Sequence, residues 1–267
     1  MKIYISADIE GVAGIAAWDE AIKKSPDYNE FRQQMTAEVA AACEGAIEAG
    51  ATEIVVKDAH GTGRNIFSSQ LPSIVKLIRG WSGHPNAMMQ EIDSSFDAAL
   101  MVGYHSAAFS MGNPLAHTLS SSKVYRLMIN GQKASEFLCN IYTAYSYKVP
   151  VVFVSGDKAL CKEVKEFCPL IQTAVVTEGI GNSTLSLQPS VATDLIRNTV
   201  AKSLKEDINK SLTALPNEYQ IELSFKGHAD AYKASFFPGA SRKDATTVCF
   251  TTQKYSEVLT FLLFVIL

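Results

Sequence analysis

Acidic side chains follow the first apolar segment of the chain at a spacing that suits metal binding. Asp8 and Glu10 come directly after Lys2–Ala7, whose composition predicts a buried strand. Alternate residues of an extended chain point the same way, so these two carboxylates can converge on one point. Two carboxylates that lie close together repel each other unless positive charge separates them. A divalent metal ion meets that requirement.

Histidines occupy the equivalent place after two further apolar segments. His60 follows the predicted strand Glu53–Lys57, and His105 follows the predicted strand Ala98–Val102. Imidazole together with carboxylate is a ligand set typical of zinc and its neighbours. These positions predict a metal site, with room for a second ion if a further carboxylate is available.

Five more residues are weaker candidates for the same chemistry. Asp58 is either a ligand or a partner that orients the neighbouring histidine. Glu136 is a candidate ligand, although glutamate in the first turn of a helix also complements the helix dipole. His117, in a predicted loop, is a candidate ligand, base or nucleophile, and an ordinary loop residue is an equal alternative. His84 and His228 lie in turn-like segments that give little reason for a chemical role.

Strand and helix patterns alternate along the first half of the chain, which predicts an α/β fold with a mainly parallel central sheet flanked by helices. In such sheets ligands bind outside the carboxyl ends of the strands. The C-terminal portion predicts α+β structure, with parts 1–189 and 190–267 packed into one globular unit. The remaining predicted helices are Asn29–Glu48, Ser69–Arg79, Ser135–Tyr147, 158–167, Ser190–Leu212 and a terminal segment, and the remaining predicted strands are Val124–Ile129, Pro150–Ser155, Thr173–Thr177, Tyr219–Phe225 and Thr246–Thr251.

Composition argues against several classes of function. The 267 residues include 24 Lys and Arg and 27 Asp and Glu without a basic patch, so nucleic acid is not an expected partner. The apolar end Val258–Leu267 is too short to span a bilayer and predicts a buried helix or an oligomer contact rather than a membrane anchor. No secretory signal is visible, and the five cysteines lack a CxxC motif. Reduced thiols and a cytoplasmic location are therefore expected.

Five short motifs together resemble the zinc-dependent D-aminopeptidases of the DppA type, in order and approximate spacing, over essentially the whole chain. The segments Ala231 to Gly239 and Thr246-Thr247-Val248 are also similar to that family. The residues after His60 and the serine-rich stretch after His117 depart from it, which leaves substrate size and stereochemistry open. The five motifs are Asp8-Ile9-Glu10-Gly11-x-x-Gly14, Asp58-Ala59-His60, Gly103-Tyr104-His105, Ala116-His117-Thr118 and Glu136.

The resemblance implies two zinc ions per chain and one catalytic histidine. Asp8 would bridge the two ions. His117 matches the catalytic histidine of the family, which acts as nucleophile or base. The other implied ligands are Glu10 and His60 for one ion, and His105 and Glu136 for the other.

The implied activity is hydrolysis of short peptides that begin with a D-amino acid, such as D-Ala peptides, by a ring-shaped homodecamer. Asn65 is a candidate for binding the peptide backbone or stabilising an oxyanion. Two alternatives stay open. One is a metal-dependent hydrolase of another amide, an ester or a phosphate. The other is a non-catalytic metal-binding oligomer.

Overall fold

Two β-sheets and seven helices organise the chain in a computed structural model, which describes residues 1–267. The first sheet has the strand order β3-β2-β1-β4-β7-β8-β9 and the second has the order β11-β12-β10-β5-β6. The strands are β1 (Lys2–Ala7), β2 (Glu53–Asp58), β3 (Val75–Ile78), β4 (Ala98–Tyr104), β5 (Val124–Ile129), β6 (Gln132–Lys133), β7 (Val151–Asp157), β8 (Gln172–Ile180), β9 (Ser183–Ser186), β10 (Tyr219–Phe225), β11 (Ala240–Arg242) and β12 (Thr247–Thr252). The helices are α1 (Trp18–Ala21), α2 (Tyr28–Glu48), α3 (Glu136–Ser146), α4 (Lys158–Phe167), α5 (Pro189–Ser203), α6 (His228–Ala234) and α7 (Tyr255–Val265).

The first sheet is the central one, and β1 is an interior strand next to its middle strand, β4. Strand β1 pairs in parallel with β2 on one side and β4 on the other. The pairs β2–β3, β4–β7 and β7–β8 are also parallel. Only the edge strand β9 is antiparallel to its neighbour, β8. The second sheet is antiparallel and takes most of its strands from the C-terminal portion. The predicted fold class is confirmed.

Alternate residues of the central strands enter two separate cores, as the pleat of a strand requires. Ile3 and Ile5 of β1 belong to a core that includes side chains of α2 and α5. Tyr4 faces the other way, into a core shared by α3, α7 and the second sheet. Because α3 lies within this core, all of its residues from Glu136 to Tyr145 are buried. The start of α3 is therefore held rigidly against the central sheet.

The segment after β1 runs directly against β4 because three glycines lack side chains. A Cβ atom on Gly11 would lie 1.8 Å from the carbonyl oxygen of Tyr104, and one on Gly156 would lie 1.9 Å from the same oxygen. A Cβ atom on Gly103, whose φ is +72°, would lie 2.3 Å from the carbonyl oxygen of Asp8. The Gly11 N–H also donates to the Gly103 carbonyl at 2.9 Å. These contacts fix the backbone at the end of β1.

The predicted helix Ser69–Arg79 is wrong. This segment contains a 3₁₀ turn at Ser68–Gln70 followed by strand β3. Pro72 lies between the two and cannot donate a helical hydrogen bond. The strand then pairs in parallel with β2, which satisfies its backbone groups better than an isolated helix would.

The helix predicted to reach Leu212 ends at Ser203, and a 3₁₀ turn follows at Ile208–Ser211. The intervening residues include Asp207, a residue of low helix propensity. The two predicted parts, 1–189 and 190–267, pack together, since α5 lies on α2 and β10 pairs with β5. The boundary near Pro189 stays a prediction.

The C-terminal apolar segment forms α7, whose buried side chains face the second sheet and α3. Among the helices, none has both the length and the apolar character needed to cross a membrane. The predicted cytoplasmic location stays a prediction. All five cysteines are free thiols, as predicted, and four of them are buried.

We expect Gly11→Ala to destabilise the protein by at least about 2 kcal/mol, because the new Cβ would meet a backbone carbonyl inside the sheet. Urea unfolding measures this change. Gly227→Ala is the matched control, since the backbone there is extended and the nearest atom is 3.5 Å from the added Cβ. The control should lose no more than about 1 kcal/mol, the cost of replacing glycine by alanine as the N-cap residue of α6. Equal unfolding curves for both variants would contradict the role of the close approach.

Candidate metal centre

The carboxyl ends of three adjacent parallel strands bring candidate ligands to one edge of the central sheet. Asp8 follows β1, His60 lies just after β2, and His105 follows β4. Glu136 reaches the same place as the first residue of α3. The structure brings together all six residues predicted for the site, including Glu10 and His117. Their roles as ligands or catalyst stay predictions.

One group of potential ligands consists of Asp8, Glu10 and His60. His60 Nδ1 lies 3.0 Å from Glu10 Oε2 and 3.3 Å from Asp8 Oδ1. His60 Nε2 lies 2.8 Å from the carbonyl oxygen of Ala21. A carbonyl oxygen can only accept, so Nε2 carries the hydrogen of the neutral ring. Nδ1 is then the nitrogen available to a metal ion.

The second group of potential ligands consists of His105, His117 and Glu136, and His105 lies at its centre. Its Nε2 lies 3.3 Å from Glu136 Oε2 and 3.5 Å from Asp8 Oδ2. Its Nδ1 donates to the carbonyl oxygen of Ser106 at 2.9 Å, which again leaves the other nitrogen facing the carboxylates. Asp8 therefore directs one carboxylate oxygen towards each histidine. A carboxylate placed this way can bridge two ions.

His117 belongs to the second group and also lies near the first. Its Nε2 is 3.6 Å from Glu136 Oε1 and 4.0 Å from Glu10 Oε1. Its Nδ1 donates to the carbonyl oxygen of Leu115 at 3.0 Å. The ring is stacked on His105, with 4.3 Å between the ring centroids. In a neutral ring, Nε2 therefore carries the lone pair, and it faces the carboxylates.

Three buried polar atoms of this cluster lack a hydrogen-bond partner, namely Glu10 Oε2, His105 Nε2 and Glu136 Oε2. A buried polar atom left unpaired costs about 1–3 kcal/mol. All three atoms belong to imidazole or carboxylate groups, which are ligands of zinc-like ions. The residues present therefore fit a pair of bound metal ions.

Neighbouring charges shift the pKa values of Asp8, His60 and His105 in the same cluster. Burial by itself lowers the pKa of His60 and His105, but the carboxylates of Glu10, Glu136 and Asp8 outweigh it and hold both pKa values well above the usual histidine range. For Asp8, an acid, burial acts in the opposite direction and by itself raises the pKa. The two histidines outweigh this effect and hold the pKa of Asp8 well below the usual range. The carboxylates therefore require positive charge beside them, from protons or from metal ions.

The loop after β2 is held by Asp58, which belongs to neither ligand group. Its carboxylate accepts the N–H groups of Asn65 at 2.5 Å and Ile66 at 2.9 Å. The Asn65 side-chain amide donates to Asp58 and to the His60 carbonyl, both at 2.7 Å, and accepts from Tyr28. Both amide hydrogens of Asn65 are therefore used within the loop, and its predicted role in binding the peptide backbone or stabilising an oxyanion stays a prediction. Asn65 fixes the loop.

A second network joins the loops that follow β1, β4 and β7. The Asn113 side-chain amide donates to the Glu10 carbonyl at 2.8 Å and to Asp157 at 3.3 Å. Asp157 also accepts the N–H and hydroxyl of Ser106, both at 2.6 Å, and caps α4 through Leu160. Neither Asp157 nor Asn113 was predicted to contribute to the site. The position of Asp157 at the end of another central strand was the signal for its wider role.

A cavity of about 1090 Å³ opens beside the cluster, and opposite charges line it. The acidic residues that line it are Asp8, Glu10 and Glu136, and the Lys and Arg residues are Lys23, Lys24 and Arg64. Its wall also includes both tryptophans and His84. His228 is exposed at the start of α6 and does not line this cavity.

Comparison with known proteins assigns the family. The sequence model of peptidase family M55, described as D-aminopeptidase, matches residues 1–264. The chain belongs to this family. A D-aminopeptidase of Bacillus subtilis (strain 168) is 32% identical over 249 residues, which are 92% of this chain and 89% of the relative. The structure of the Zn-dependent D-aminopeptidase DppA from Bacillus subtilis, a self-compartmentalizing protease, matches with a TM-score of 0.92 and 30% identity, covering 99% of this chain and 96% of DppA. The predictions of the family and of a hydrolytic enzyme are confirmed.

In this M55 peptidase the loop after Glu10 is anchored from α2 as well. Glu38 Oε1 accepts the Ala13 N–H at 2.8 Å and the Gln34 amide at 2.9 Å. Its other carboxylate oxygen is buried without a partner. Because burial disfavours the charged form, the pKa of Glu38 is raised from 4.5 to about 7.

We expect Glu38→Gln to gain stability relative to the unsubstituted protein as the pH rises. An acid with a raised folded-state pKa destabilises the fold in its charged form, so this cost is absent below about pH 4.5 and complete above about pH 7. The stability difference between variant and parent should grow by about 2 kcal/mol between pH 5 and pH 8. Urea unfolding with chelator in all samples measures it. Parallel pH curves for the two proteins would contradict the burial of a charged Glu38.

Proposed function

We propose that this chain is a zinc-dependent aminopeptidase that hydrolyses short peptides with an N-terminal D-amino acid at a two-zinc centre. The observation that carries the proposal is the position of Asp8, with one oxygen towards His60 and the other towards His105. Glu10 completes one ligand group, and Glu136 completes the other. The zinc dependence and D-aminopeptidase activity of the structurally similar DppA support the assignment.

The proposed ligands are Asp8, Glu10 and His60 for one ion and Asp8, His105 and Glu136 for the other. Two zinc ions bound there would supply Lewis acidity towards a peptide carbonyl and make water a stronger acid near neutral pH. The protein contributes the orientation of each ligand. Backbone carbonyls fix His60 and His105, and the loop networks of Asp58 and Asp157 fix the segments that carry them.

His117 is proposed to transfer a proton during hydrolysis. Its Nδ1 is held by the Leu115 carbonyl, so Nε2 is the nitrogen that accepts a proton. The carboxylates of Glu10 and Glu136 lie within 4.0 Å of Nε2 and stabilise the charged ring that results. The ring can then return the proton to the leaving amine.

The cavity lining supports a short peptide with a free carboxylate. The acidic residues that line the cavity, Asp8, Glu10 and Glu136, are all proposed zinc ligands. Lys23, Lys24 and Arg64 lie elsewhere on the wall and can bind a peptide carboxylate. A dipeptide or tripeptide bound in this way would direct its other end at the proposed zinc ions.

We also propose that the chain forms a homo-oligomer, in the form of a ring-shaped decamer. The self-compartmentalizing assembly of DppA supports this. Exposed apolar side chains near the edge strand β9 give independent support, since Leu185 is 65% exposed and Ile180 is 58% exposed. Unpaired edge strands and apolar patches of this kind are commonly covered by another chain. Light scattering on the purified protein would test the mass.

We expect purified protein to contain two zinc ions per chain and to cleave D-Ala-D-Ala in preference to L-Ala-L-Ala. Elemental analysis and an amino-acid release assay on the same sample test both parts. Glu136→Gln should lose about one ion per chain, because it removes the charge from one ligand group. Glu38→Gln is the matched control at a buried carboxylate outside both groups, and it should keep both ions. Full zinc content in Glu136→Gln would contradict the ligand assignment, and two zinc ions without peptide cleavage would redirect the proposal to another substrate.

We expect His117→Ala to lower kcat by about 10²-fold or more, because it removes a proton-transfer group, while the zinc content stays at two ions. Steady-state hydrolysis of D-Ala-D-Ala gives kcat, and elemental analysis gives the metal content. His228→Ala removes an exposed histidine that does not line the cavity, and it serves as the control. A fully active, zinc-loaded His117→Ala protein would exclude the catalytic role.

A further inference from the structure

Helix α1 contacts two of the three histidines at the metal centre although it has only four residues. The carbonyl oxygen of Ala21 accepts a hydrogen bond from His60 Nε2 at 2.8 Å. The indole of Trp18 lies against the ring of His117, with 5.3 Å between the centroids and 68° between the planes. One helical turn therefore contacts both a proposed zinc ligand and the proposed catalytic residue.

One hydrogen bond and two aromatic contacts bear on the orientation of the His117 ring. The hydrogen bond from Nδ1 to Leu115 holds one atom but allows the ring to tilt about it. His105, which is fully buried, supports the ring by stacking at an interplanar angle of 9°. The remaining aromatic contact is Trp18, which is 36% exposed. The indole is therefore the contact that limits rotation of His117 away from the buried side.

Trp18 and His117 also lie between two neighbouring cavities. Both residues line the main cavity of about 1090 Å³ and a neighbouring cavity of about 540 Å³. Removal of the indole would open space beside the imidazole, into which the ring could turn. Nε2 would then no longer face the carboxylates of Glu10 and Glu136.

Hydrogen bonds within its own segment and to β9 hold α1 in place. The carboxylate of Glu20 accepts the N–H of Ala16 at 2.6 Å and that of Ala17 at 2.9 Å, which closes the first turn of the helix. The segment follows Glu10 in the chain, and the N–H of Gly14 is bound by Ser186 at 2.9 Å. The position of Trp18 is therefore set by the protein scaffold.

We infer that Trp18 is a positioning residue, whose indole holds His117 with Nε2 directed at the proposed zinc centre. The inference rests on the proposed catalytic function of His117. A ring in the wrong orientation transfers protons poorly but still allows substrate to bind. Loss of the indole should therefore lower kcat much more than it raises KM.

The first test compares Trp18→Ala, Trp18→Phe and Trp81→Ala in the full-length zinc-loaded enzyme with D-Ala-D-Ala. Trp18→Ala should lower kcat by about 10- to 100-fold with KM within about threefold and zinc content unchanged. Trp18→Phe should recover most of kcat, because a phenyl ring still limits rotation. Trp81→Ala removes the other indole of the cavity, which contacts Gly61 and Lys57 instead of a histidine, and it should change KM more than kcat.

Three kinetic outcomes would overturn the inference while leaving the proposed function intact. They are an unchanged kcat in Trp18→Ala, a Trp18→Phe enzyme as slow as Trp18→Ala, and an equal loss of kcat in Trp81→Ala. A parent enzyme that cleaves no D-peptide would instead overturn the proposed function. A second readout that needs no activity separates these cases.

Fluorescence gives that readout, because the chain contains only two tryptophans and Trp81→Phe leaves Trp18 as the sole indole. A histidine ring held against an indole quenches its emission. His117→Gln in this background should therefore increase Trp18 emission, whereas His84→Gln should leave it unchanged. Equal emission with and without His117 would overturn the inference, whether or not the protein hydrolyses peptides.

Discussion

Positive charge among three buried carboxylates is the requirement on which the site depends. Asp8, Glu10 and Glu136 are at most 3% exposed and meet at one edge of the central sheet. Each buried ion without a partner costs several kcal/mol, so the arrangement persists only with cations or protonated histidines between the acids. Metal binding at these groups would therefore be coupled to folding, because the proposed ligands are the groups that are hardest to bury without positive charge.

Backbone groups orient the side chains that surround these carboxylates. Each of the three histidines gives one ring nitrogen to a main-chain carbonyl, those of Ala21, Ser106 and Leu115. This bond selects the tautomer and directs the other nitrogen at the carboxylates. Outside the ligands, two aspartates bind the N–H groups of the adjoining loops. The cluster is consequently organised before any ion arrives.

The positions of the proposed ligands were predictable because they depend on local patterns. Strand periodicity located the ends of β1, β2 and β4, and parallel pairing made those ends adjacent. Contacts made by the backbone were not predictable, because every residue has a carbonyl group and the residue type of Ala21 does not indicate that its carbonyl orients His60. The same limit explains why the loop contacts of Asn65 were not foreseen, and why β3 was predicted as a helix, since pairing with β2 overrode a helical pattern.

The backbone at the strand ends and the wall of the cavity differ in how much change they can absorb. At the strand ends, Gly11, Gly103 and Gly156 let backbone pack on backbone, and even one added methyl group meets a carbonyl oxygen. On the cavity wall, Arg64 and Trp81 are exposed side chains. Natural divergence or laboratory evolution towards new peptides would therefore have to occur among such exposed residues of the wall, so that the reaction stays constant while selectivity drifts.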